Sequence, residues 1–155
     1  KRILLLGAGG AARGVIAPLL DQRPAELVVS NRNPWKPEAL AEQFAGRGML
    51  RPCTHLALKG DRYDLIINAT SAGHDGRFLR LPPGLFDADA KAYDLSYGRA
   101  HTPFADWARS AGASAVHDGL GMLVEQAAVS FQLWHGVLPH TDAVISMLRE
   151  EGATA

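Results

Sequence analysis

The six residues Gly7-Ala8-Gly9-Gly10-Ala11-Ala12 limit what this chain can fold into more than any other feature. They fit G-x-G-x-x-A and follow directly on the apolar run Ile3 to Leu6. A helix-compatible stretch and a second β-type run come after them. A glycine pattern alone says little. Strand, glycine turn, helix and second strand within about 30 residues, however, is the setting in which each small residue has a task. Gly7 permits the tight turn, Gly9 lets the backbone approach a pyrophosphate, and Ala12 lets the helix pack close to the strand. The first helical turn then offers unpaired N–H groups and the positive end of the helix dipole to an anion.

The rest of the chain repeats this alternation. Arg2 to Leu6 reads as a strand and Ala11 to Leu20 as a helix, then Glu26 to Ser30 and Pro37 to Ala45 likewise. Arg51 to Thr54 is a weak strand and Asp64 to Asn68 a strong one. A Gly/Pro-rich loop from Gly73 to Gly84 leads to a strand at Lys91 to Leu95 and a helix at Pro103 to Ala111. A strand at Ala113 to His117 and a helix at Gly121 to His135 follow. Pro37 and Pro103 mark helix starts, where a missing N–H costs nothing. Ile3 to Leu6 and Leu65 to Ile67 are apolar without alternation, as strands covered on both faces are. The expectation is an α/β, Rossmann-like, doubly wound fold with a mainly parallel sheet and flanking helices. Residues 1–118 would form the nucleotide-binding domain and residues 119–155 a set of C-terminal helices, with His135 to Thr141 the only plausible linker.

Charge and composition remove several partner classes. The 16 basic and 16 acidic side chains cancel, and no Lys/Arg run exceeds two, so neither nucleic acid nor an anionic membrane surface has a footprint here. Apolar stretches fall far short of the about 18 residues of a membrane span, and no signal peptide precedes them, which points to the cytoplasm. The single cysteine, Cys53, reads as a half-buried apolar side chain. None of the six histidines forms an i, i+4 pair beside a further ligand, so no metal site is expected. Trp107 and Trp134 sit at helical core spacing and read as packing residues. No G-x-S-x-G elbow or phosphate-binding G-x-x-x-x-G-K-[ST] loop occurs.

Nucleotide preference is read after the second strand, where an NAD-binding protein carries an Asp or Glu for the ribose hydroxyls. Here Ser30-Asn31-Arg32-Asn33, with Lys36 beyond, contains no carboxylate. A guanidinium that pairs with phosphate and stacks on adenine, plus a lysine one turn on, suits a 2′-phosphate, so NADP is preferred over NAD. Asn68-Ala69-Thr70-Ser71 ends the fourth strand at the carboxyl edge, where ligands of open α/β sheets sit. Tyr93-Asp94-Leu95-Ser96-Tyr97 and Asp118-Gly119-Leu120-Gly121-Met122 end later strands at the same edge.

These motifs, together with Thr102-Pro103-Phe104 and the continuation Leu123-Val124-x-Gln126-Ala127, stand in an order and spacing that resembles the shikimate dehydrogenase family along essentially the whole chain. The resemblance implies reversible hydride transfer between NADPH and 3-dehydroshikimate, giving shikimate. It implies that Gly7, Ala8, Gly9, Gly10 and Ala11 bind the pyrophosphate and that Asn31, Arg32 and Lys36 bind the adenosine 2′-phosphate end. Asn68, Ala69, Thr70 and Ser71 would line the passage of the nicotinamide half. Leu95, Gly119 and Met122 would lie by the nicotinamide, and Tyr97 and Gln126 would touch shikimate. Family members often carry Thr at the position of Asn33 and Arg at that of Lys36. Quinate/shikimate dehydrogenase, usually marked by an acidic residue near Asn31, is an alternative, as is a catalytically silent NADP-binding module. Glutamyl-tRNA reductase has a similar nucleotide domain but is not expected to carry Asp118 to Ala127.

The family's proton-transferring Lys and its partner Asp lie in Asn-Val-Thr-x-Pro-x-Lys and Asn-x-x-Gly-x-Asp motifs of an N-terminal substrate domain, and neither motif occurs here. Neither Lys59 nor Lys91 has such surroundings, so no catalytic residue is assigned. The chain begins at Lys1 with a strand almost at once, which suggests a segment of something longer. Periodicity points the same way. Leu120, Leu123, Val124, Ala127, Phe131 and Trp134 form one helical stripe, and Met122, Gln126, Val129, Leu133 and Val137 the opposite one. A helix apolar on two sides is expected to be sandwiched, against the sheet and against another domain or a second copy of the chain.

Overall fold

The computed structural model describes the backbone of residues 1–154 and the side chains of residues 1–151. Among these, six strands form one parallel sheet: β1 (Arg2–Leu6), β2 (Glu26–Ser30), β3 (Leu50–Cys53), β4 (Tyr63–Asn68), β5 (Phe86–Asp94) and β6 (Ala115–His117). Their order is β3-β2-β1-β4-β5-β6, so the chain reverses direction across the sheet between β1 and β4. The helices are α1 (Gly10–Asp21), α2 (Trp35–Gln43), α3 (Thr102–Ser110), α4 (Leu120–His135) and α5 (Asp142–Thr154). This is the Rossmann-like α/β architecture read from the sequence.

The unbroken apolar run of β1 explains its central place. Side chains alternate across a strand, so Ile3 and Leu5 pack with Ala12, Ile16 and Leu20 of α1 on one face. Leu4 and Leu6 pack with Ile66 and with Phe104 and Ala108 of α3 on the other. Trp107 joins that second core beside Phe78, Phe86 and Phe104, as its spacing predicts. The opposite, amino-terminal edge is tied by ion pairs: Arg2 and Arg51 both reach Glu26 at 2.8 Å, and Arg51 reaches Asp61 at 2.6 Å.

The structure departs from the sequence reading in two places. β5 begins at Phe86, not Lys91, although Asp87-Ala88-Asp89-Ala90 lacks strand-favouring residues. The Tyr63 amide donates to the Leu85 carbonyl (2.9 Å) and anchors this early start, with a register irregularity between Tyr63 and Leu65. The second departure lies in α4, at Trp134, while the side expected to face a further domain or a second copy has no cover among the described residues. Only Leu120, Val124 and Ala128 are buried, while Leu133 and Trp134 are 80% and 78% exposed. Trp134 is therefore not a packing residue among the described residues. Past Ala128, α4 lies beside α5 with a crevice between Phe131 and Val144, and nearer the start of α4 Glu125 Oε1 accepts from the hydroxyl of Thr141, just before α5 (2.6 Å). No helix of the described residues is long and apolar enough to cross a membrane.

Candidate nucleotide-binding site

A cleft of about 430 Å³ opens at the carboxyl edge of the sheet, at the β1/β4 reversal. Ligands of open α/β sheets bind in such a crevice. Gly7, Ala8 and Gly9 enter it from the β1–α1 turn, Asn31, Arg32 and Lys36 from the segment after β2, and Ala69, Thr70 and Ser71 from the end of β4. Residues far apart in sequence and expected to serve one ligand thus line one continuous space. Ala72, next in the same edge motif, also lines it, as do His55, Asp75 and Leu79, which motif reading missed.

Local geometry explains the glycines. Gly7 has φ +105°, and a Cβ placed there would stand 2.7 Å from the Ala69 carbonyl oxygen, so the turn can be this close to β4 only with glycine. The Gly7 amide donates to Ser30 O (2.8 Å) and the Ala69 amide to Leu6 O (2.8 Å), which locks three strand ends together. Gly9 differs: a Cβ there would meet nothing within 4 Å. Its small size is not required by the protein's own packing, and the space beside it is open to a ligand. Gly10 and Ala11 begin α1 and are exposed, with first-turn N–H groups that have no intrahelical acceptor. These features fit a pyrophosphate.

At the other end of the cleft no carboxylate lies between Ser30 and Lys36. Asn31 shapes this segment: its amide donates to Cys53 O (3.2 Å) and its Oδ1 accepts from the Asn33 amide (3.0 Å). Arg32 is exposed, and the Lys36 ammonium sits 5.5 Å from the Trp35 ring centroid. His55 lies beside them, its Nδ1 2.9 Å from Ser30 Oγ, and burial pushes its imidazole below the usual pKa. Its position follows from the strand register, because Ser30 pairs with Cys53 and both Arg32 and His55 lie two residues beyond that pair.

Asn68 does not line the cleft. It is buried behind the wall and braces it: Nδ2 donates to Asp94 Oδ1 (2.9 Å), while Oδ1 accepts from the Thr70 amide (3.1 Å) and hydroxyl (2.7 Å). The fully buried Asp94 also accepts from the Ser96 amide (3.0 Å) and faces His101 Nδ1 at 3.1 Å. Gly119 is packing-limited as well, since a Cβ would come within 2.3 Å of the Leu95 carbonyl oxygen. Leu95 and Met122 line a separate apolar cavity of about 340 Å³, with Val15, Leu19, Ile67 and Tyr93. Tyr97 and Gln126 are exposed, in the segment after β5 and on α4, and line neither cavity. Among the described residues no cluster of three or more His, Cys, Asp or Glu could hold a metal.

Comparison with known proteins agrees with this geometry. A family profile for shikimate / quinate 5-dehydrogenase matches residues 1–75, and one for the shikimate 5′-dehydrogenase C-terminal domain matches residues 119–148. The shikimate dehydrogenase (NADP(+)) of Nitrosospira multiformis is 50% identical over 149 residues, 96% of this chain and 54% of that protein. Among solved structures, the Ael1 enzyme of Pseudomonas putida is 46% identical, with a TM-score of 0.83 over 95% of this chain and 54% of that one. Shikimate 5-dehydrogenase of Thermus thermophilus, solved with shikimate, is 34% identical, with a TM-score of 0.73 over 97% of this chain and 54% of that one. The chain spans about half the length of the curated relatives it matches.

Proposed function

Because the chain belongs to the shikimate / quinate 5-dehydrogenase family, we propose that it is the NADP-binding part of an NADP-dependent shikimate dehydrogenase. The observation that carries this reading is the single cleft joining the Gly7–Gly9 turn to Arg32 and Lys36, with no acidic residue between Ser30 and Lys36. Gly7 to Ala11 would hold the pyrophosphate. Asn31, Arg32 and Lys36 would hold the 2′-phosphate, by charge-assisted hydrogen bonds. Ala69, Thr70 and Ser71 would form the wall along which the nicotinamide half runs, with Asn68 and Asp94 keeping that wall rigid. Leu95, Gly119 and Met122 would lie near the nicotinamide, whose C4 accepts or donates the hydride when the nucleotide is bound. In this chemistry the chain's own residues contribute orientation and electrostatics.

Tyr97 and Gln126 would contact shikimate from one side only. Two contacts do not orient a small polar acid, and no lysine here stands in the family's proton-transfer motif. We assign proton transfer to the portion of the relatives that this chain does not span. Two apolar features support a docking place for it. These are the uncovered Val129 and Leu133 of α4 with Val137 just beyond it, and the cavity between α1 and Met122. On this reading residues 1–118 are the nucleotide-binding unit and residues 119–155 belong to the domain boundary. A second copy of the chain on the same α4 face is the competing occupant.

The test is binding and turnover on one preparation. NADP should bind at least about tenfold more tightly than NAD, and Arg32→Ala should erase most of that difference. Shikimate with NADP should give negligible reduced nicotinamide from this chain, and turnover should appear once the N-terminal portion found in the relatives is joined to it. Equal affinities for the two nucleotides refute the NADP assignment. Ordinary dehydrogenase turnover by the chain alone shows that its catalytic residues lie here after all.

A further inference from the structure

We propose that His55 is an additional contact for the nucleotide's 2′-phosphate and takes up a proton when that phosphate binds. The chain's preference for 2′-phosphorylated nucleotides would then rise as pH falls from the weakly alkaline to the weakly acidic range. This inference rests on the NADP reading above.

The placement comes from strand register. β2 and β3 are parallel neighbours with Ser30 opposite Cys53, so Arg32 and His55 leave the sheet at equivalent points on strands about 4.8 Å apart. Both line the cleft, as does Lys36. The imidazole is also oriented. Its Nδ1 is engaged by the buried Ser30 hydroxyl at 2.9 Å, which leaves Nε2 as the ring atom available to a ligand. A half-buried imidazole tethered on one nitrogen, beside the strand end that presents Arg32 and Lys36, is arranged as a donor to an anion.

The charges around it set the sign of the proton coupling. From the segment after β2 come the cations Arg32 and Lys36, from β3 the neutral thiol of Cys53, and from the turn after β4 the carboxylate of Asp75 across the cleft. Burial disfavours the imidazolium in the free chain. A phosphate dianion beside Nε2 reverses that balance, because an opposite charge within hydrogen-bond reach favours the charged form. Binding therefore draws a proton onto His55 near neutral pH. Phosphate ionisation has the opposite sign, since a free 2′-phosphate with a second pKa of about 6 that binds as the dianion can only release protons.

Calorimetric titration of the chain with adenosine 2′,5′-bisphosphate and with adenosine 5′-monophosphate, in two buffers of different ionisation enthalpy, tests this. The expected result is an uptake about half a proton greater with the bisphosphate than with the monophosphate. Between about pH 8 and about pH 6.5 that uptake raises the affinity ratio of the two nucleotides about fivefold. His55→Gln should abolish the uptake and flatten the ratio while the Arg32-dependent preference stays. Ser30→Ala, which frees the ring, should reduce the uptake without removing it. Uptake unchanged in His55→Gln overturns the proposal, as does a pH-independent ratio in the parent. In either of those cases a surviving preference for the bisphosphate leaves the NADP reading standing. If the bisphosphate is not preferred at any pH, both fall.

Discussion

Alanine placed in turn at the three glycines of the β1–α1 turn should give three different results. At Gly7 the backbone has φ +105°, and an L side chain in the positive-φ region costs about 1–2 kcal/mol. The new Cβ would also stand 2.7 Å from the Ala69 carbonyl oxygen and 3.2 Å from Thr70 Cγ2. The first of these is backbone, in a residue whose amide donates to the Leu6 carbonyl, and cannot swing aside. Forcing atoms into a packed region costs roughly another 1–3 kcal/mol, so Gly7→Ala should lose about 3 kcal/mol in all. In urea, where a small domain loses about 1–3 kcal/mol per molar, the unfolding midpoint should fall by about 1.5 M. Gly9 has no positive φ and open space around its Cβ position. Gly9→Ala should therefore change stability by less than about 0.5 kcal/mol, yet weaken NADP at least about tenfold by blocking close approach of the backbone to the pyrophosphate. Gly10, the first residue of α1 and equally open, should gain about 0.5 kcal/mol as alanine. Urea titrations and nucleotide isotherms on the three variants decide the matter. A Gly7→Ala chain as stable as the parent, or a Gly9→Ala chain that binds NADP normally, refutes the separation of folding glycine from binding glycine.

Acid should unfold the chain partly through its amino-terminal edge. Burial alone would raise Glu26 and Asp61, but bonds to Glu26 from Arg2 and Arg51, and to Asp61 from Arg51 and Tyr63, outweigh it and hold both carboxyls below their ordinary values. Their contribution is thus complete above about pH 4.5 and is lost as pH falls through the lowered folded-state values. Because these side chains are partly exposed, Arg51→Met should cost only about 1 kcal/mol near neutral pH and flatten the acid limb of stability against pH, followed by denaturant midpoint. At the end of α4 and just beyond it, the exposed Leu133 and Val137 should drive concentration-dependent self-association of the chain in sedimentation velocity. The pair Leu133→Lys, Val137→Lys should abolish it, and a parent that stays monomeric at high concentration removes the homodimer as an occupant.

Features carried by contiguous residues were legible before folding was considered. The glycine turn, the continuous apolar strands and the acid-free stretch from Ser30 to Lys36 each act within a few residues, through backbone sterics, two-sided burial and local charge. They specified a parallel sheet with a phosphate-cradling turn, and the structure has that sheet. Other assignments depended on partners distant in sequence. Asn68 reads as a cleft residue, but its amide meets Asp94, 26 positions away, and becomes the brace behind the wall. His55 carries no local motif and reaches the cleft because β2 and β3 pair in one register out of several. The glycine at 119 follows from its approach to the Leu95 carbonyl, which only the juxtaposition of β5 and the start of α4 creates. Periodicity gave α4 two apolar sides, yet which residues are buried was decided by the chain that returns beside it. Val124 and Ala128 are buried and line a crevice with Thr141 and Val144, while Trp134 is left in the open. Propensity and periodicity are set along the chain over a turn or two, whereas register, close approach and burial are set between elements and exist only once the sheet is assembled.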